Sequence, residues 1–482
     1  MSDGGSISRR VVLIAATLVL AATACSIQAP DFQLVSQGGG AGPGVLPSGV
    51  ATGAGGSYAG GQFGGGTVGG GGPAASGNCV GKATDTGVTG STIKLGSTFA
   101  ISGPVSSISG PIKKGVLAYF NEVNATGGIY GRKIDLKYYD DGWDAQKGKG
   151  LIKKLVEQDK VFALTTVPSS NGLDAATSYL ESKRMPVFGS SGLIESQFRS
   201  PMIWPIGTGT RSASRIGESD IVNRLGAKNV AVVWLDLLSG AEARDAYEKA
   251  LPKRMLAADR RVGLSEAEFS PVWADVKKQT RDWQKAHGKT QDGIPDFVAL
   301  LIDPTNAVKA LEAAQNLGFK PRIGWGGGAP LFLDLVLGST SYAADTGIYA
   351  QTSFIPPLPE FAANPAVQAY IRTVHKYYPN ADLLNPYLEG GYAGAALTVE
   401  IFKRAGSCLT REKAIEVANS IAGYSAAGLT QPLTYKQLGV GQSHYGNLFI
   451  LGVQAVKDSK HGHWKVAVQG SQMWAKDPSP GA

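Results

Sequence analysis

The chain has 482 residues, in which 46 Lys and Arg exceed 38 Asp and Glu to give a formal net charge of +8. This length predicts about three domains. The basic residues are spread along the chain in pairs such as Lys113-Lys114, Lys153-Lys154 and Lys277-Lys278, and no aromatic platform accompanies them. We interpret these pairs as solvated helix faces, which argues against a nucleic-acid-binding protein.

The N-terminal segment has the pattern of an export signal. Arginines at positions 9–10 precede an apolar run at residues 11–21, which is too short to cross a bilayer as a stable helix. The residues leading to Cys25 look like a lipobox, in which this cysteine becomes lipid-modified and is the mature N-terminus. Ala22 departs from the leucine usual at its position, and ordinary secretory cleavage is the alternative. We predict a signal peptide at residues 1–24 and a lipid anchor on Cys25.

The segment after this cysteine consists almost entirely of Gly, Ala, Ser, Thr and Pro between about residues 36 and 77. It has too few large apolar groups to offset the entropy of ordering the chain, so we predict a flexible linker over residues 25–83. Some fifty residues of Gly-rich coil have a mean end-to-end distance of roughly 40 Å. A protein tethered in this way would tumble while its acyl chains stay in the membrane.

From residue 93 onward the chain alternates strands with helices. A strand at residues 93–99 ends at Ser102-Gly103-Pro104 and precedes an amphipathic helix at residues 112–124. Further elements are strands at residues 133–139, 161–164 and 185–188 and a helix around residues 151–156. The last two strands open into loops rich in hydroxyl groups, at residues 165–171 and 189–192. This alternation predicts a parallel sheet, and ligands bind beyond the carboxyl ends of such strands.

The second half of the chain repeats the alternation. Apolar strands followed by loops and helices are predicted at residues 229–235, 297–302 and 347–353. The second of these strands leads into Asp303-Pro304-Thr305-Asn306. A second parallel sheet is therefore expected.

At these residues the chain resembles the branched-chain amino-acid-binding-protein family, the solute receptors of ATP-driven importers, whose best-known member is the leucine/isoleucine/valine-binding protein. The resemblance covers nearly everything after Thr84. It rests on five segments: Ser102-Gly103-Pro104, residues 121–124, residues 127–133, Asp140-Asp141 and residues 155–163.

The resemblance implies an α/β fold of two Rossmann-like lobes with central, mainly parallel sheets, joined by a three-stranded hinge as in type I periplasmic binding proteins. By analogy the chain would cross between the lobes near Gly209, Gly326 and Tyr445. The implied boundaries are residues 84–208 and 326–444 for lobe 1, residues 209–325 and 445–475 for lobe 2, and residues 476–482 for a tail.

The resemblance also implies a ligand site at the strand ends of lobe 1. Ser169 matches the serine whose hydroxyl holds the ligand carboxylate in amino-acid-binding relatives. Ser190 and Gly192, with Ser191 between them, match the loop that grips the ligand's carboxylate and ammonium. The alternative role is structural, because Ser169 or Ser170 can cap the following helix. Both roles are compatible, since a helix N-terminus also attracts a carboxylate.

Three positions depart from the family pattern. Asn306 stands where the family has the carboxylate that pairs with the ligand ammonium, and the two ligand-contacting tyrosines fall on Ile108 and on Leu238 or Ser239. An amide cannot neutralise a buried ammonium, and an unpaired buried charge is costly. Either Asp303 takes over this role or the ligand has no ammonium. We favour a larger, more apolar or uncharged ligand.

Two tryptophans, Trp143 and Trp325, join Ile108 and Leu238 as candidate walls of the site. Packing beneath the loops is the alternative role for both tryptophans. We expect Ser169 and the loop at residues 190–192 to converge on a carboxylate or carbonyl of the ligand, with no strong ammonium site opposite.

The three cysteines divide between two roles. With Cys25 assigned to the lipid, Cys79 and Cys408 remain as a disulfide pair in an oxidising envelope. We expect this bond within one lobe, where it would tie the end of the linker to a C-terminal helix.

No catalytic pattern competes with the binding-protein interpretation. The chain has no Gly-x-Ser-x-Gly elbow, no Cys-x-x-Cys and no phosphate loop. The sequence His461-Gly462-His463 is more typical of a hairpin turn than of a metal site. We expect no cofactor.

We therefore predict an extracytoplasmic solute-binding lipoprotein of an ABC importer, held on the outer face of the cytoplasmic membrane. Its ligand would be an amino acid, an amide or a larger apolar carboxylate, and its protein partner a membrane permease. We expect a monomer that closes its lobes on the ligand by a hinge motion. A sensory receptor that signals through a membrane partner is the alternative, and an envelope hydrolase is less favoured.

Overall fold

The computed structural model describes residues 77–219, 224–252, 254–333, 336–337, 341–435, 444–457, 462–466 and 474–476. They belong to one compact unit that contains two sheet-based lobes. The predicted signal peptide, Cys25, most of the predicted linker and nearly all of the predicted tail lie outside the described residues. In the described part of the chain, no helix combines the length and apolarity needed to cross a membrane.

Lobe 1 is built on five parallel strands in the order β2-β1-β3-β4-β5. The strands are β1 (Thr92–Phe99), β2 (Lys133–Asp140), β3 (Ala163–Thr165), β4 (Val187–Ser190) and β5 (Ile203–Pro205). The helices between them are α1 (Ser106–Ala125), α2 (Ala145–Glu157), α3 (Ser170–Ser182) and α4 (Glu195–Arg199). Strands β3, β4 and β5 are buried along their whole length, as expected for parallel strands covered on both faces.

Lobe 2 is built on eight strands, of which five are parallel and three antiparallel. The parallel strands are β6 (Val230–Leu235), β7 (Leu256–Val262), β8 (Phe297–Leu301), β9 (Gly324–Gly326) and β10 (Ile348–Thr352). The helices are α5 (Thr210–Ser219), α6 (Leu238–Ala250), α7 (Ser270–Ala286), α8 (Pro304–Asn316) and α9 (Ser341–Thr346).

The chain then returns to lobe 1 and adds its last helices. These elements are α10 (Pro365–Tyr377), α11 (Pro386–Ala405), α12 (Arg411–Ser420) and the two-stranded sheet of β11 (Ala422–Tyr424) and β12 (Leu433–Thr434). Helix α11 packs directly against α1, and a side chain at Gly115 or Gly391 would overlap the backbone of the facing helix. The antiparallel strands β13 (Phe449–Lys457), β14 (Gly462–Val466) and β15 (Trp474–Lys476) complete the sheet of lobe 2.

Three crossings connect the lobes, and hydrogen bonds join them to one another. The Thr208 hydroxyl donates to the Phe449 carbonyl at 3.0 Å and lies 2.9 Å from the Ser353 hydroxyl. The Asn447 amide donates to the carbonyls of Ile206 and Ser353 at 3.1 and 3.4 Å. Because residues from all three crossings take part in this network, the hinge is a bundle of three connecting segments held together by hydrogen bonds.

The second crossing lies elsewhere than the resemblance implied. Gly326 ends β9 in the interior of the lobe 2 sheet, where it pairs with β8 and β10. The chain leaves lobe 2 only after β10, at Ser353. The implied boundary at residue 326 is therefore wrong, because the analogy placed the crossing at a strand whose pairing with β8 and β10 keeps it inside the sheet of lobe 2. The other two crossings lie at Gly209 and just after Tyr445.

A disulfide joins Cys79 and Cys408, whose Cα atoms are 4.9 Å apart. It ties the first described residues to the loop between α11 and α12. The predicted bond within one lobe is confirmed, although Cys408 lies in a loop and not in the expected C-terminal helix. The buried guanidinium of Arg132 reinforces this junction by donating to the carbonyls of Cys79, Lys82 and Ser407 at 2.7 to 2.9 Å.

Candidate ligand-binding cavity

A cavity of about 240 Å³ lies between the two lobes and against the hinge. Lobe 1 contributes its wall from the start of α1, the turn after β2, the loop after β4 and the first turn of α11. These residues are Val105, Ile108, Ile112, Trp143, Ser191, Gly192, Leu193, Pro386, Tyr387 and Gly390.

Lobe 2 contributes the opposite wall from α5, the start of α6, the end of β8 and the loop after β9. Among its residues are Leu235, Leu237, Ser239, Ala243, Tyr247, Leu300, Ile302, Asp303 and Pro330. The hinge closes the remaining side with Ile206, Thr208, Ser353 and Phe354. Aliphatic and aromatic side chains therefore dominate the lining, and apolar surface is what such a cavity can bury on a ligand.

Several residues chosen from the sequence meet in this cavity. They are Ile108, Trp143, Ser191, Gly192, Ser239 and Asp303. Gly192 has φ of 64°, and a Cβ there would lie 2.5 Å from the Cβ of Pro205. Only glycine therefore allows this loop to turn beneath the ligand space.

Ser169 and Ser190 do not line the cavity, which corrects the expectation that they converge on the ligand. Ser169 is fully buried and caps α3, because its hydroxyl accepts a hydrogen bond from the Gly172 backbone amide at 3.3 Å. Ser190 is also fully buried, as the last residue of β4. The structural alternative for Ser169 is thus the role that the structure shows.

Trp325, Leu238 and Asn306 also lie outside the lining. The Trp325 ring is fully buried in the lobe 2 core, and its Nε1 donates to the Thr346 hydroxyl at 2.9 Å. Leu238 is 43% exposed and does not line the cavity, although its neighbours Leu237 and Ser239 do. Asn306 is buried with its amide donating to the Gly263 carbonyl at 2.9 Å.

Asp303 is the acid that reaches the cavity from lobe 2. It caps α8 through Oδ1, which accepts from the backbone amides of Thr305 and Asn306 at 3.0 and 3.1 Å. Its Oδ2 is buried and has no hydrogen-bond partner. Burial raises the pKa of this carboxyl, although the two amides and the charge of Lys309 act in the opposite direction.

Trp143 is the aromatic residue that reaches the cavity from lobe 1. It has φ of 66°, which is strained for a bulky residue, and its backbone amide donates to Asp141 at 2.9 Å. Asp140 fixes the facing loop by accepting from the backbone amides of Ile101 and Ser102 at 2.9 and 3.3 Å. The turn that contains Asp140 and Asp141 therefore fixes the position of Trp143. The indole Nε1 of Trp143 is buried and has no hydrogen-bond partner.

Sequence reasoning missed Tyr387, Tyr247, Leu237 and Phe354. Tyr387 lies in the first turn of α11, and burial together with the Asp303 charge raises its pKa well above the ordinary value. The signal for this helix start is Asn385-Pro386, since Asn caps helices and Pro favours their first turn. That signal locates a helix end but not the cavity beside it.

The electrostatics of the lining are simple. Asp303 is the single carboxylate among the described lining residues, and none of those residues is Lys, Arg or His. Over the described ranges, no three or more His, Cys, Asp and Glu side chains are grouped to hold a metal ion. The arrangement can enclose an apolar molecule and hydrogen-bond one polar end.

Comparisons with known proteins agree with this two-lobed fold. A family model described as periplasmic binding protein matches residues 92–440. The Leu/Ile/Val-binding protein homolog 7 of Brucella suis is 24% identical over 368 residues, which cover 73% of this chain and 84% of that protein.

Two solved structures have a similar fold. The fatty acid ABC transporter substrate-binding protein from Thermomonospora curvata has a TM-score of 0.66 and 20% identity, over 82% of this chain and 95% of that chain. The solute binding protein of an ABC transporter from R. palustris, in complex with benzoate, has a TM-score of 0.65 and 16% identity, over 81% and 99% of the two chains.

Proposed function

Because the chain belongs to the type I periplasmic binding proteins of the branched-chain amino-acid family, we propose that it carries one apolar organic solute to a membrane permease. Proteins of this family are substrate-binding proteins of ABC transporters and are not enzymes, as the sequence predicted. The proposal concerns the class of solute, the lipid anchor and the delivery step.

The observation that carries the proposal is the apolar cavity enclosed between the lobes. A lining dominated by Ile, Leu, Val, Phe, Tyr and Trp side chains favours a solute that is mostly hydrocarbon. Relatives of similar fold are described as binding a fatty acid or benzoate, which are solutes of this kind. The small lobe-connecting bundle allows the lobes to close over the solute.

The proposed location is the outer face of the cytoplasmic membrane, with the protein anchored through a lipid on Cys25. The Cys79–Cys408 disulfide supports an oxidising compartment outside the cytoplasm. A Cys25→Ser variant that is exported and cleaved should appear in the soluble fraction, whereas the unmodified protein should stay with membranes. Equal membrane retention of both forms would contradict the anchor.

A thermal-shift screen tests the solute class. The protein is unfolded and refolded to strip bound material, then heated with decanol, decanoate, benzoate, 4-phenylbutanamide or leucine. A ligand present at a hundredfold excess over its dissociation constant should add about 2.7 kcal/mol of stability. We expect stabilisation by at least one of the solutes that are mostly hydrocarbon, and stabilisation by none of them would contradict the proposal.

A matched pair of variants ties the binding to the cavity. Ile108→Glu introduces a charge into the apolar lining and should abolish the thermal shift, because the new carboxylate would have to lose its water to make room. Leu238→Glu places the same charge on an exposed residue next to the lining and should leave the shift unchanged. Equal behaviour of the two variants would locate the binding elsewhere.

A further inference from the structure

The distribution of charge in the cavity is one-sided. Asp303 contributes a carboxylate from lobe 2, and none of the described lining residues contributes a cation. The ammonium of Lys309, whose charge acts on Asp303, donates to the Glu266 carbonyl at 2.9 Å and does not line the cavity. A ligand carboxylate would therefore enter a low-dielectric space that holds a like charge and no counter-ion.

Two buried polar atoms belong to lining residues, have no partner in the protein and are covered by neighbouring atoms, so a ligand contacts them once the lining side chains shift. Asp303 is 3% exposed, and its Oδ2 is left free when Oδ1 caps α8. Trp143 is 6% exposed, and its indole N–H is likewise unpaired. Buried polar groups without partners are uncommon, and each destabilises the protein until something hydrogen-bonds to it.

These two atoms are complementary in kind and come from opposite lobes. The Asp303 oxygen accepts a hydrogen bond, whereas the Trp143 nitrogen can only donate one. Leu237 and Leu264 of lobe 2 pack against the small cluster that Trp143 forms with Ala100 and Val105, so the lobes already meet at this cluster. A ligand that pairs both atoms would hydrogen-bond to each lobe and would stabilise the closed arrangement.

We propose that the cavity selects apolar solutes whose polar end is a neutral hydroxyl or carboxamide, and that it rejects free carboxylates. This inference rests on the proposed function and names its substrate class. The head group donates its O–H or N–H to Asp303 Oδ2 and accepts the Trp143 indole N–H on its oxygen. The apolar body of the solute lies against the aliphatic and aromatic lining.

The test compares head groups on one hydrocarbon body. Dissociation constants are measured by calorimetry at pH 7.5 for 4-phenylbutan-1-ol, 4-phenylbutanamide and 4-phenylbutanoate, and for decanol, decanamide and decanoate. We expect the alcohol and the amide of either series to bind at least tenfold more tightly than the acid. A hydrogen bond to a charged group stabilises by roughly 1.5 to 3 kcal/mol, which corresponds to about tenfold to a hundredfold in affinity.

Variants of Asp303 and Trp143 test whether these two residues cause the difference in affinity between the head groups. Asp303→Asn keeps the helix cap, since Asn caps as well as Asp, and should weaken the alcohol while strengthening the acid about tenfold. Trp143→Phe keeps a ring of the lining but removes the N–H, and should weaken the amide about tenfold. Asp236→Asn removes an exposed carboxylate that pairs with Arg261, and should change none of the constants.

The outcomes separate this inference from the function on which it rests. Acids that bind as tightly as the matched alcohols and amides would overturn the selection of head groups and leave apolar solute binding intact. Tight binding of leucine that is lost in Asp303→Asn would also overturn it, because Asp303 would then serve an ammonium. Binding of none of the six compounds would contradict the proposed function, and the inference would fall with it.

Discussion

Removal of the Cys79–Cys408 disulfide should destabilise the protein by about 5 to 6 kcal/mol. The bond closes a loop across a sequence separation of 329 residues. In the chain-entropy account, the entropy that this cross-link removes from the unfolded chain corresponds to about 6 kcal/mol at 25 °C. The loop between α11 and α12 and the segment around Cys79 should stay joined without the bond, because Arg132 donates to the carbonyls of Ser407 and Cys79 on its two sides.

The size of this effect depends little on which lobe unfolds first. Residues 210–352 of lobe 2 lie inside the loop, and a folded lobe 2 would remove roughly 140 residues from the flexible part. Because the entropy depends on the logarithm of the loop length, the expected stabilisation falls only to about 5 kcal/mol.

Urea unfolding followed by tryptophan fluorescence measures the difference between the unmodified protein and a Cys79→Ser, Cys408→Ser variant. The dependence of the unfolding free energy on urea concentration serves as the control. It should not fall in the variant, because the unfolded chain is less compact without the cross-link, and a decrease would indicate an intermediate. A loss below about 1 kcal/mol with this dependence unchanged would refute the chain-entropy reasoning for this protein.

Three further predictions concern a buried acid, a lining glycine and the hinge. Glu389 is fully buried with neither carboxylate oxygen paired, and burial first, with the Asp382 charge second, raises its pKa well above the ordinary 4.5. The neutral carboxyl contributes to the stability of the fold below about pH 4.5, and this contribution is lost as the pH rises through the raised pKa. The stability of Glu389→Gln relative to the unmodified protein should therefore increase with pH. Thermal melts from pH 4.5 to 8 measure this difference. Gly192→Ala should lower the free energy of unfolding by about 1 kcal/mol or more, because of the positive φ of Gly192 and the contact that a Cβ would make with Pro205. Gly150→Ala, in open space on α2, should raise the free energy of unfolding by roughly 0.5 to 1 kcal/mol. Equal melting temperatures of the two variants would contradict the steric argument. Asn447→Ala removes the hydrogen-bond donor of two hinge carbonyls and should lower the free energy of unfolding by about 1 to 3 kcal/mol. An unchanged melting temperature together with an unchanged solute affinity would show that this network does not hold the hinge.

The sheets and most helices of lobe 1 were predictable because their sequence signals are local. Strand β1 and the second helix follow directly from apolar spacing and from Gly and Pro at the boundaries. Helix α1 begins at Ser106 rather than near residue 112, because it continues through Gly110-Pro111. The earlier start places Ile108 on the helix, where it reaches the cavity.

The candidate site was predictable only in part, because one side chain cannot always serve two roles. Ser169 and Asp303 both follow strands and both cap helices. In Ser169 the single hydroxyl oxygen accepts from the Gly172 amide and is buried inside lobe 1. In Asp303 one carboxylate oxygen caps the helix, and the second oxygen has no hydrogen-bond partner. Sequence spacing does not distinguish these cases. Tyr387 was missed because its approach to the cavity depends on contacts between segments far apart in the chain.

The packing of α1 against α11 determines when lobe 1 can finish folding. Gly115 and Gly391 bring the two helix backbones together, although all of β6 to β10 lies between them in the chain. Contacts of such large sequence separation form slowly, since a long loop must close before any of them is made. The first half of lobe 1 therefore emerges during synthesis without the helix that covers its sheet. Export in the unfolded state, which the proposed location outside the cytoplasm would require of a chain threaded through a membrane, would gain time from this delay.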